Sequence, residues 1–413
     1  MKRIALATVL AAGVLGAALL AARPGEARNI DYSDIEAGRT LVVAGDCAFC
    51  HTAEGGMPYA GGRAIETPFG TVYSTNITPN ATTGIGAWTD EDFYRAMHEG
   101  VAADGSHLYP AFPYPAFTKM TRNDVMAVKA FLDTLDAVEK ENRESELIWP
   151  MNWRALMAGW NMLFFDEGAF EPDPDKSDQW NRGAYLVEGA GHCGSCHTPR
   201  NALGGADEDE YLQGGAVQGW YATDLTAHEG YGVGTWTVEE ITEYLKTGSN
   251  AHSTAAGPMA EVVANSTQKM SRDDLTAIAI YLGDEAGSGG SGGTRDASEK
   301  ADSAVALLGE AVFVDNCTAC HMADGRGQTD VFPPLAGNAT VVAVGPQSVL
   351  QPILHGAARP VTSDEPTGLA MPAFDWKLSD KQIAAVATFI RQSWGNDAPP
   401  VAVSDVAELR DDE

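Results

Sequence analysis

Positive charge is scarce in this 413-residue chain: 27 Lys and Arg stand against 57 Asp and Glu, a formal net charge of -30. A surface of that sign repels phosphate backbones and anionic headgroups, which excludes nucleic-acid binding and docking through a basic patch. Long apolar runs are also missing after the first two dozen residues, so no later segment reads as a membrane span. There is no Rossmann fingerprint and no Walker loop, which removes the usual nucleotide-dependent chemistries. Hydrophobic residues make up 44% and charged residues 20%, so disorder throughout is excluded as well. Length alone suggests two to four domains.

The one long apolar run is at the start. Lys2 and Arg3 precede an Ala-, Leu- and Val-rich stretch from Ile4 to Ala22, followed by Arg23-Pro24-Gly25-Glu26-Ala27. This is the pattern of an export signal over residues 1–27, cut near Ala27, with an uncleaved N-terminal anchor as the alternative. The expected compartment is the periplasm, or the outer face of the cytoplasmic membrane.

Six cysteines are present and none is left over. They fall in Cys47-Ala48-Phe49-Cys50-His51, Cys193-Gly194-Ser195-Cys196-His197 and Cys317-Thr318-Ala319-Cys320-His321. Each has the C-x-x-C-H form of a c-type haem attachment site. Two residues between the thiols let one helical turn offer both sulfurs to the vinyl groups of one porphyrin edge. The adjacent histidine then supplies the proximal nitrogen to iron. Zinc would require further soft ligands, a thioredoxin-like pair would require a βαβ context, and structural disulfides would not require the histidines. Three covalently bound haem c groups are therefore expected, on Cys47 and Cys50, Cys193 and Cys196, and Cys317 and Cys320, with His51, His197 and His321 as axial ligands.

The motifs start 146 and 124 residues apart, which suits one cytochrome-sized unit each. Each follows a short helical pattern with a small residue: Gly38, Gly183 and Gly309. Units one and two repeat further, with Tyr73-Ser74-Thr75-Asn76 matching Tyr221-Ala222-Thr223-Asp224 and Lys119-Met120-Thr121-Arg122 matching Lys269-Met270-Ser271-Arg272. Thr89 with Asp92, Thr237 with Glu240, Thr121 with Asp124, Ser271 with Asp274 and Ser379 with Gln382 have capping-box spacing. Trp88 and Trp236 read as core residues. The expected fold is all-α, three tandem class I cytochrome c-like domains. Domain one covers residues 28–170 and domain two 171–286. A Gly/Ser linker at 287–300 leads to domain three at 301–396, and a disordered acidic tail takes 397–413. The linker predicts a third unit able to move relative to the others.

A distal ligand separates an electron carrier from an open, reactive haem. Met371, in Met371-Pro372-Ala373-Phe374, is the expected ligand of unit three, presented from a loop. Met120 is the expected ligand of unit one. In unit two the repeat favours Met270, while the loop context of Gly257-Pro258-Met259 favours Met259, which is the expected ligand there. His98, His107, His228 and His252 are in range by sequence and read as surface or propionate-contacting side chains.

Several segments together resemble the trihaem cytochrome c subunit of membrane-bound bacterial dehydrogenases. They are the first motif with Glu66-Thr67-Pro68-Phe69-Gly70-Thr71 and Tyr73 to Pro79, then Leu108-Tyr109-Pro110-Ala111-Phe112-Pro113-Tyr114, Gly257 to Val263 and Met371 to Phe374. The resemblance covers about Asn29 to Trp394. It implies a separate catalytic partner of one of three kinds: a quinoprotein alcohol dehydrogenase, a flavoprotein or a molybdenum hydroxylase. It also implies ubiquinone or another respiratory acceptor, peripheral membrane association, and no catalysis by the chain alone. The amphipathic C-terminal anchor of some members has no counterpart in the short polar end of this sequence. A free-standing multihaem shuttle and a haem enzyme such as a peroxidase are the competing functions.

Overall fold

The computed structural model describes residues 31–411 except 227, 229–231, 289–297 and 329–330. The export signal and most of the Gly/Ser linker lie outside the described residues.

Each cysteine motif sits at the end of a helix, as the patterns predict: Tyr32–Ala44, Asp178–Tyr185 extended by a wider turn to Ala190, and Ser303–Asn316. Side-chain caps start all three, from Asp31, Ser177 and Asp302, each satisfying backbone N–H groups of the first turn. Each helix crosses the last long helix of its own repeat: Arg122–Leu132, Arg272–Ser288 or Asp380–Gln392. The glycines set how closely. A Cβ on Gly38 would meet the backbone of Ala127 and lie 3.0 Å from Phe131 Cβ. On Gly183 it would meet Ala277 and lie 2.9 Å from Tyr281 Cβ, and on Gly309 it would meet Ala385 and lie 2.7 Å from Phe389 Cβ. The same crossing, with an alanine and an aromatic four residues later, is thus built three times. Only a residue without a side chain fits between the backbones.

The capping boxes form at Thr89, Thr237 and Ser379, and the hydroxyls of Thr121 and Ser271 accept from the N–H groups of Asp124 and Asp274. Trp236 is buried and Trp88 is half-buried against the same core. Strand is confined to short pieces. Ala64–Thr67, Gly70–Tyr73 and Glu146–Leu147 make a three-stranded antiparallel sheet. Gly215–Val217 pairs with Trp220–Ala222, and Ala357–Ala358 with Ala370–Met371.

Packing departs from three independent beads. Units one and two share one hydrophobic core, in which Leu41, Met97, Val125 and Leu132 join Leu186, Ile241, Leu275 and Ile278. Unit three has its own, around Phe313, Leu350, Leu354 and Ile383. It is also docked on unit two. Ser348 Oγ accepts from Tyr221 N–H at 2.9 Å and donates to Tyr221 O at 2.8 Å, and Gln268 pairs with Val361 O and Ser363 N–H. The acidic tail is not disordered: Val403–Asp411 is a helix. Ala398, Val401, Val406 and Leu409 bury into the third core, and Arg410 binds Asp380 and the carbonyls of Asp375 and Leu378. The composition of this segment hides four apolar positions that outweigh its charges once a partner face exists.

Candidate haem-attachment sites

The first cysteine of every motif opens one turn of helix. The N–H groups of His51, His197 and His321 donate to the carbonyls of Cys47, Cys193 and Cys317 at 3.0, 3.0 and 2.9 Å. All six cysteines are free of one another, leaving both sulfurs of each pair available. Burial pushes the thiols of Cys47 and Cys193 up to about 12 and that of Cys317 up to about 11. A buried, protonated thiol is the form that adds across a vinyl group. Among the described residues no group of three or more His, Cys, Asp or Glu could hold a bare metal ion.

Each histidine is oriented from behind. Nδ1 of His51 donates to Thr75 O at 2.6 Å, that of His197 to Thr223 O at 2.7 Å, and that of His321 to Pro333 O at 3.1 Å. A proton held on Nδ1 leaves the Nε2 lone pair bare, the tautomer that binds iron. Burial pushes all three imidazoles below their ordinary pKa, against the carbonyls' opposing pull, so the rings are neutral. Two available thiols on one helical turn and an imidazole fixed for coordination through Nε2 fit a covalently bound haem c. Thr75, Thr223 and Pro333 were not anticipated as site residues, because they act through backbone oxygens. The repeat Tyr-x-Thr was the available signal for the first two.

The methionines divide by setting. Met120 and Met270 stand just before the capping Thr121 and Ser271, and both are buried in the shared core. Met259 lies in the first turn of the helix Gly257–Asn265 rather than in a loop, because Pro258 is compatible with a helix start. It is half-buried beside Ala255, Ala260 and Val263. The N–H groups of Leu108 and Ala255 donate equivalently to Gly100 O and Gly248 O, and by this register Phe112 stands where Met259 does. Met371 sits on a two-residue strand paired with Ala357 and packs on the third core. His98 stacks on Tyr94 and His252 on Trp236, while His228 binds Asp224 at 2.6 Å. His98 and His228 are buried rather than on the surface.

The attachment loops of units one and two abut. His192, next to Cys193, donates from Nε2 to Gly45 O at 3.2 Å, and its ring meets the edge of Phe117 at 5.5 Å. Ser266 Oγ donates to Ala44 O at 3.3 Å. Burial, then Asp46, pushes the Cys50 thiol up to about 11, and Cys196 across the contact adds to the push.

Helix crossing and site together define a c-type cytochrome. The cytochrome c family model matches residues 35–136 and 306–394. The gluconate 2-dehydrogenase cytochrome c subunit of Pantoea cypripedii is 40% identical over 403 residues, covering 92% of this chain and 90% of that one. The cytochrome c subunit of the Gluconobacter oxydans (strain 621H) alcohol dehydrogenase (quinone) is 40% identical over 401 residues, 93% of this chain and 84% of its own. A nicotinate dehydrogenase subunit of Pseudomonas putida is 44% identical over 370 residues, but this chain spans 31% of its length. The chain belongs to the family of dehydrogenase cytochrome c subunits.

Proposed function

We propose that this chain is a trihaem electron-transfer subunit of three tandem class I cytochrome c-like domains, exported to the periplasm. It takes electrons from a partner dehydrogenase and passes them to a quinone. The supporting observation is the threefold recurrence of one local device, a Cys-x-x-Cys-His turn whose histidine donates from Nδ1 to a backbone carbonyl. A bound haem c supplies one-electron chemistry at its iron. The chain's own residues do the rest. Cys47 and Cys50, Cys193 and Cys196, and Cys317 and Cys320 tether one group each. His51, His197 and His321, together with Met120, Met259 and Met371, would ligate the iron. The contact of Gly45 with His192 favours a short electron step between units one and two, and the contact of Tyr221 with Ser348 favours the next to unit three.

Purification from native membranes should return a flavo-, quino- or molybdo-subunit with the chain. Intact mass of each motif's double Cys→Ala variant should drop by one haem. Isolation of the chain alone, or a mass without added groups, overturns the reading.

A further inference from the structure

We propose that the apolar surface formed by residues 148–163 is the face with which this protein lies on a lipid bilayer. This deepens the reading above, since a lipid-soluble quinone is met at a membrane.

Between Leu147 and Phe165 the only ionisable side chain is Arg154. Its guanidinium is turned back onto the protein, donating to His107 O at 3.0 Å and covering the ring of Tyr109. Within this stretch six large apolar side chains face solvent: Ile148, Trp149 at 75% exposure, Trp153, Leu156, Met162 at 87% and Leu163 at 71%. The helix Leu156–Phe164 is held from its other side. Met157 is buried, Asn161 Oδ1 accepts from Tyr114 OH at 2.6 Å, and Trp160 Nε1 donates to Leu203 O at 3.0 Å, bringing exposed Leu203 alongside. The outward residues are therefore not a core displaced. A dense apolar patch on a soluble surface marks an interaction site.

Charge chooses the occupant. With a net charge of -30, most of the surface is repelled by a membrane's anionic lipids, and a second copy would bring an equal charge to the contact. This patch has no carboxylate to desolvate. Two exposed tryptophans, Trp149 and Trp153, beside Met162 and Leu163 suit the headgroup boundary, where an apolar ring carries a polar edge. Among the described residues no helix is long and apolar enough to cross a membrane.

The test is flotation of the haem-loaded, leader-processed chain, its N-terminus fixed by intact mass, with neutral phosphatidylcholine vesicles. The native chain should float. Trp149→Glu/Met162→Glu/Leu163→Glu should partition at least about a hundredfold more weakly, whereas Trp149→Phe/Met162→Leu should float like the native chain. Haem spectra and dye reduction should be the same in all three. A native chain that stays in solution, or a triple variant that floats equally, overturns the proposal. So does loss of a self-dimer or of dehydrogenase-subunit binding in the triple variant without any vesicle binding by the native chain. Reduction of a water-soluble short-chain quinone by the complex is read separately. If it fails while flotation succeeds, the quinone reading falls and the membrane face stands.

Discussion

Substituting Gly309 by alanine tests the helix crossing that recurs beside each Cys-x-x-Cys-His motif. The added methyl would lie 2.7 Å from Phe389 Cβ and inside contact distance of the Ala385 backbone, where real Cβ atoms keep beyond 3.0 Å. Neither neighbour is the free end of a flexible side chain, so the helices Ser303–Asn316 and Asp380–Gln392 must part. Overpacking of this kind costs about 1–3 kcal/mol. For a unit of about a hundred residues, 2 kcal/mol lowers the melting temperature by about 8–16 °C. Gly283→Ala is the control: it lies in a helix interior with nothing within 4 Å of its would-be Cβ, and should stabilise by about 0.5–1 kcal/mol. Thermal melts followed by Soret circular dichroism read both variants. A Gly309→Ala unit three that melts as the native one does, or higher, refutes the close crossing.

The two methionines of unit two should separate cleanly. Met270→Ala removes a buried side chain from the shared core and should cost about 2–4 kcal/mol with the haem spectrum retained, while Met259→Ala should leave stability nearly intact and let carbon monoxide bind the reduced protein. Met371→Ala should open unit three to carbon monoxide in the same assay. His192→Leu removes the bond to Gly45 O; stopped-flow or pulse methods should then show slower electron exchange between units one and two, with haem content unchanged. Asp46 gives a pH signature. Both its carboxylate oxygens are buried without a partner, and burial pushes it up to about 7, whereas in the unfolded chain it titrates near 4. The folded state thus keeps a proton that the unfolded chain releases. This group's contribution to stability is greatest below about pH 4 and is lost as pH rises to about 7. Asp46→Asn should flatten the fall in melting temperature across that window.

The candidate attachment motifs were legible because such attachment is local chemistry: two thiols and an imidazole must share one helical turn, and Cys47 to His51 states that in five letters. Gly38, Gly183 and Gly309 announced close packing for a similar reason, since a missing side chain is visible in sequence. The distal side was less legible. Met120, Met259 and Met270 are all apolar residues near a helix start; Met120 and Met270 share one core and one register, and only the fold sets Met259 apart, in a small cluster with Ala255, Ala260 and Val263. Met259 reads as a loop residue, yet Pro258 opens a helix.

The sequence by itself determined the number of attachment motifs, the duplication of units one and two and the sites of helix initiation, because each depends on residues a few positions apart. Only the tertiary structure decided that His51, His197 and His321 are steered by the carbonyls of Thr75, Thr223 and Pro333, since every residue type carries a carbonyl. It also decided that the acidic tail folds and that His192 reaches Gly45. Those contacts join residues up to 147 positions apart, and no local pattern encodes a partner that the fold alone brings near.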